Sequence, residues 1–104
     1  MRRVLPQRRH CETETIRWAD KLWEFSVGFF PDGSPAEIFV NGAKVGSERE
    51  ALARDACVAV SIALQHGTPV DVLARAMLAE SDGEPSSIIG AIVKHLKNFV
   101  QKVD

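Results

Sequence analysis

Between residues 41 and 50 the hydrophobic pattern of this chain changes period, and that change limits the possible folds more than any other feature. Upstream, apolar residues recur at every second position: Trp23, Phe25, Val27 and Phe29, then Ala36, Ile38 and Val40. Such alternation puts them on one face of an extended strand. Downstream, Ala51–Leu64 is so dense in Ala, Val, Ile and Leu, and so long, that it reads as a helix. The joint is Asn41-Gly-Ala-Lys-Val-Gly-Ser47, a glycine-flexed loop with one lysine. Ser47 with Glu50 forms a capping box, in which hydroxyl and carboxylate satisfy the free backbone donors of a first helical turn.

Three strand-like segments precede the joint. Glu12–Trp18 sets Thr13, Thr15 and Arg17 against Glu14, Ile16 and Trp18. A polar turn at Ala19–Lys21 leads into the aromatic strand, and Pro31-Asp-Gly-Ser-Pro35 is a strong turn signal after it. The third strand, Ala36–Asn41, carries Glu37 and Phe39 on its reverse side. Connections this short join antiparallel neighbours.

Three helices follow. The first has Ser61 as its only strictly polar residue between Ala56 and Leu64, so it is expected to lie between the sheet and other helices, or between subunits. Gly67 suits its C-terminal cap. Thr68-Pro-Val-Asp71 starts a second helix, with an apolar stripe of Val70, Leu73, Ala74, Met77 and Leu78, and Ser81-Asp-Gly-Glu-Pro85 breaks it. The third begins near Ser86 or Ser87 and turns Ile89, Ile92, Val93, Leu96, Phe99, Val100 and Val103 inward. Strands first and helices second make an α+β fold: a three-stranded antiparallel meander followed by three helices, the first central and packed on the sheet.

At 104 residues the chain has the length of one domain, read as a basic arm over 1–10 and a single domain over 11–104. Net charge is −1, so no overall field draws it to nucleic acid or membrane. Arg2, Arg3, Arg8 and Arg9 nonetheless concentrate positive charge at the start, where a phosphate backbone is one partner class to consider. No apolar run is long enough to span a membrane. Cys11 and Cys57 lack CxxC spacing, which favours a reducing cytoplasm.

The candidate ligand site is the joint itself. Gly42, Gly46 and Ser47 can present free amides at a helix N-terminus, Lys44 adds a full charge, and Arg8 and Arg9 are further cations for a nucleotide or other anion. The loop is not a Walker motif, which needs Lys followed directly by Ser or Thr. Glu48 and Glu50 already complement the helix end, and the capping box explains Ser47 but not Lys44. No catalytic set stands out: Cys11 lies beside His10, and neighbours on a strand point to opposite faces. His10, His66 and His95 fall in separate segments without metal-ligand spacing, so neither metal nor cofactor is expected. Ala63, Gly67 and Leu73 match helix-turn-helix spacing, but the helix Thr68–Glu80 would show phosphates only Arg75 as a cation. A packed helical hairpin explains that spacing better.

The order of strand, Gly-Ala-Lys-Val-Gly-Ser, apolar helix and Gln-His-Gly-Thr-Pro resembles the TSCPD domain. The residues carrying the resemblance are Asp32-Gly33, Pro35-Ala-Glu-Ile-Phe-Val-Asn41, Gly42, Lys44, Gly46-Ser47, and Ala63-Leu64 before Gly67. Leu5-Pro-Gln-Arg-Arg-His-Cys-Glu-Thr13 and Asp82-Gly-Glu-Pro-Ser-Ser-Ile-Ile-Gly90 look like the stand-alone branch of that family. The resemblance runs from about Leu5 to about Leu96. It implies a module like the C-terminal one of adenosylcobalamin-dependent ribonucleotide reductases, found alone in bacterial and phage-associated proteins. The reductase-linked version ends in a cysteine-bearing motif and this chain in Lys-Asn-Phe-Val-Gln-Lys-Val-Asp104, so no relay of reducing equivalents is expected. The reading is a non-catalytic module linked to nucleotide metabolism or phage-related functions that binds a nucleotide, another anion, a protein partner or its own copy. The alternatives are an accessory part of a reductase, or a nucleic-acid-backbone binder acting through residues 1–10.

Overall fold

In a computed structural model, the structure describes residues 1–41 and 48–102, with side chains through residue 99. Its elements follow the anticipated order: β1 (Cys11–Trp18), β2 (Lys21–Phe29), β3 (Pro35–Val40), α1 (Glu48–Gln65), α2 (Val70–Ala76) and α3 (Ile88–Lys102). The three strands form one sheet in the order β1-β2-β3, antiparallel throughout. The β1–β2 connection is two residues long, and Trp18 pairs directly with Lys21. Ala19 (φ 52°) and Asp20 (φ 61°) both take the left-handed region that such a tight hairpin demands. The sequence supplies no glycine there.

Alternation decides the sheet's faces. Trp23, Phe25, Val27 and Phe29 of β2, with Ala36, Ile38 and Val40 of β3, are all buried. Register sets Phe25 opposite Val40 and Val27 opposite Ile38, so the two strands offer one continuous apolar surface. α3 covers it with Ile88, Ile92, Val93, Leu96 and Phe99. Phe99 meets Phe29 edge-on at 5.4 Å, and His95 meets Phe25 at 5.5 Å. Ser87 caps α3 by accepting a hydrogen bond from the Gly90 amide at 3.0 Å. Among the described residues the Trp23 indole N–H is the one buried side-chain donor without an acceptor, an omission that costs about 1–3 kcal/mol.

α1 packs on the sheet along β3 and buries Ala53, Cys57, Val60 and Leu64, one stripe at helical spacing. Its opposite side stays open, with Leu52, Val58 and Ile62 exposed alongside Phe39. Among the described residues the apolar middle of this helix is therefore covered on one flank only. Gly67 (φ 92°) closes its end, and the Thr68 amide reaches back to the Ala63 carbonyl at 3.0 Å.

α2 stops at Ala76, short of the expected Glu80. Met77 turns extended (ψ 146°), and a loop takes over in which Ala79 pairs with Pro85 and the Glu80 amide donates to the Glu84 carbonyl at 2.8 Å. The turn chemistry of Asp82-Gly83 thus outweighs the helical stripe, leaving Leu78 exposed. Seven residues make too short a helix for groove recognition.

Candidate functional site

Gly42, Lys44, Gly46 and Ser47, and with them the capping box, lie outside the described residues. Arg8 and Arg9 lie within them and border one cleft of about 400 Å³, together with His10, Phe29 and Phe30. Arg8 is exposed. Arg9 is committed elsewhere: its Nη1 donates to the Pro6 carbonyl at 2.7 Å, and its Nε pairs with Glu37. The hydrogen bond to Glu37 raises the Arg9 pKa further. Glu37 is buried on the reverse side of the sheet, above Gly28, where an added Cβ would lie 2.8 Å from the Glu37 Cγ. Gly28 is thus small because a carboxylate occupies the space above it. Cys11 is exposed, and His10 faces Glu12 at 3.2 Å.

The first residues run against the end of α1. Gln65 is the anchor: its carbonyl accepts from the Arg3 amide at 2.7 Å, and its side-chain oxygen accepts from Arg2 Nε at 2.6 Å. Its Nε2 donates to the Ala36 carbonyl at 3.2 Å, on the free edge of β3. So held, the Arg3 guanidinium lies 3.7 Å from the centre of the Phe30 ring, a cation–π contact.

Beside Arg3 opens a cleft of about 500 Å³, within the usual range for small-ligand sites. Phe30, Leu64, Pro69 and Val70 give it an apolar surface; Arg3, Lys97, Thr68 and Asp71 bring polar groups. Arg3 pairs with Asp32 at 3.6 Å and Lys97 with Asp71 at 3.7 Å, and all four side chains are about half exposed. Pairs this long and this wet contribute little, so either cation can turn to an incoming anion at small expense. The Ser34 hydroxyl and amide hold the Asp32 carboxyl below its ordinary pKa, which keeps that partner charged. An anion would meet Arg3 and Lys97 while a ring lies against the apolar surface. The chain sequence does not announce this cleft: Arg3 sits in a basic terminus and Lys97 in a late helix, and only the folding of α1 and α3 around Phe30 joins them.

Histidines pack rather than cluster, His10 against Phe29 and His95 against Phe25 and Phe99. Among the described residues no three His, Cys, Asp or Glu side chains converge as a metal site needs, and no helix is long and apolar enough to cross a membrane.

The architecture is that of a small α+β domain, a strand meander with three helices and a cleft of ligand size where the first residues meet α1. The chain belongs to the TSCPD domain family, whose model matches residues 2–100. It is 36% identical over 72 residues to the vitamin B12-dependent ribonucleotide reductase of Rhodopirellula baltica, an alignment spanning 69% of this chain and 7% of that protein. The chain thus corresponds to a small part of that relative. No solved structure matches it.

Proposed function

We propose that this chain is a non-catalytic accessory module of ribonucleotide-reductase type that binds a nucleotide in the cleft between Arg3 and Lys97. One observation carries the reading: an apolar surface for a ring and two loosely paired cations for phosphate border a single cleft. The similarity to a ribonucleotide reductase supports the ligand class, since a protein so named handles phosphorylated nucleosides. The test is a thermal-shift screen against nucleoside mono-, di- and triphosphates. A ligand at a hundred times its Kd stabilises by about 2.7 kcal/mol, which for a domain of this size raises the Tm by roughly 10 °C or more. Arg3→Ala and Lys97→Ala should each remove most of that shift, and Lys44→Ala should leave it. Loss of the shift in Lys44→Ala alone would place the ligand at residues 41–47 and refute the cleft. A screen in which no nucleotide shifts the Tm refutes nucleotide binding altogether.

A protein partner, including a second copy, is the second reading. It rests on the exposed Leu52, Val58, Ile62 and Phe39 along α1 and β3, apolar side chains of the kind that contact a partner when they cluster. Sedimentation velocity across a concentration series tests self-association. A single monomeric species at all concentrations removes that part of the reading.

A further inference from the structure

A second cleft, of about 430 Å³, opens between the end of β1 and the outer face of α3. Three cations border it: Arg17 from β1, and Lys94 and Lys97 from α3. Their pairing sets them apart from most of the arginines, although exposed Arg8 and Arg49 also lack a partner among the described residues. Arg2, Arg3, Arg9, Arg54 and Arg75 each have a hydrogen-bonding or ionic partner. Arg17 and Lys94, both exposed, have none among the described residues, and Lys97 has only the long contact to Asp71. Among the described residues Glu84 is the single acid lining the cleft. Three cations gathered with fewer counter-charges favour an anion that brings them relief.

The cleft also holds an aromatic wall. Trp18 is half-buried there, and its indole N–H donates to the Pro85 carbonyl at 3.0 Å. That bond fixes the ring, as does its edge contact with Trp23 at 6.4 Å. Exposed Asn98 adds an amide that can both donate and accept. A fixed ring for a base, an amide for its edge and cations for neighbouring phosphates are the components of single-strand recognition.

We propose that this cleft binds single-stranded nucleic acid, with Trp18 stacking on a base and Arg17, Lys94 and Lys97 contacting successive phosphates. The site is separate from the Arg3 cleft, which it meets only at Lys97, and does not depend on the nucleotide reading. It also differs from binding through the terminal arginines, because neither Arg17 nor Lys94 belongs to residues 1–10.

Fluorescence anisotropy of a labelled oligothymidylate about ten nucleotides long tests it, with the full chain titrated at several salt concentrations. Three phosphate contacts on a single strand predict a slope of log K against log salt of about −2, or roughly 15–20-fold weaker binding between 50 and 200 mM salt. Replacing both Arg17 and Lys94 with Ala should bring the slope to about −0.7, and Arg3→Ala should leave it near −2. Binding should also quench tryptophan emission, through Trp18. The proposal is overturned if no oligonucleotide binds, if the double variant keeps the full slope, or if polyglutamate competes as well as the oligonucleotide. The last result would make the surface a site for acidic peptides.

Discussion

The most exacting test of the fold's logic is Ser61→Ala, because two effects of opposite sign meet at that residue. β3 is an edge strand, with β2 on one side and α1 on the other. The amide of Ile38 points away from β2, and Ser61 Oγ accepts from it at 2.9 Å while lying 3.4 Å from the Ile38 carbonyl oxygen. Ser61 and Gln65 thus stand where the next strand's backbone would be, and they blunt an edge open to pairing. Losing the hydroxyl strands a donor on a residue that is 1% exposed, at about 1–3 kcal/mol. Ala is the better helix former by about 0.5 kcal/mol, which offsets part of the loss. The net expectation is a destabilisation of about 1.5 kcal/mol, seen as a Tm lower by roughly 5–12 °C. Urea unfolding should show a lower midpoint at unchanged slope, since the surface exposed on unfolding is the same. Amide exchange at Ile38 should accelerate relative to Val27, its partner across the sheet. A variant as stable as the parent, or more so, would mean that helix propensity alone operates at position 61. The edge-capping argument would then fail.

Two further perturbations probe other contacts. Gly28→Ala should cost about 1–3 kcal/mol, because its Cβ displaces the buried Glu37 from Arg9; pairing it with Glu37→Ala should cost clearly less than the two single changes summed, and strict additivity in denaturant melts would refute the steric account. Cys57, 4% exposed, has its thiol pKa pushed by burial from 9.0 to about 11. Because the folded value lies above the unfolded one, this contribution is complete below pH 9 and lost as pH rises through 11, by no more than about 2–3 kcal/mol. Cys57→Ala should flatten the stability decline across that window. Native thiol titration should modify Cys11 alone, and prompt modification of Cys57 would contradict its burial.

Elements were legible where the pattern was long and regular. The period-two aromatics of β2 fall on the buried face as read, and Gly67 and Ser87 cap the helices they flank. Local chemistry suffices in those places, because strand alternation and backbone satisfaction at helix ends act over a few residues. Misreadings arose where distant groups compete. The stripe through Met77 and Leu78 suggested a longer α2, but the pairing of Ala79 with Pro85 and the Trp18 bond to Pro85 hold that stretch extended. Ser61 stood out as the lone polar residue of an apolar helix, yet its partner, the Ile38 amide, could not be named without knowing that β3 is the edge.

The sequence by itself determined the order of strands and helices, the inward faces of β2, β3 and of α3 up to Phe99 (Val100 and Val103, also read as inward, have side chains outside the described residues), and the family, since each depends on periodicity or short-range turn chemistry. Tertiary structure decided which cations are free and which are spent. Arg9 is taken by Glu37, Arg3 lies on Phe30, and Arg17 and Lys94, distant in sequence, border one cleft. The physical reason is that a charge acts over the few ångströms set by packing. Spacing along the chain carries no record of those distances.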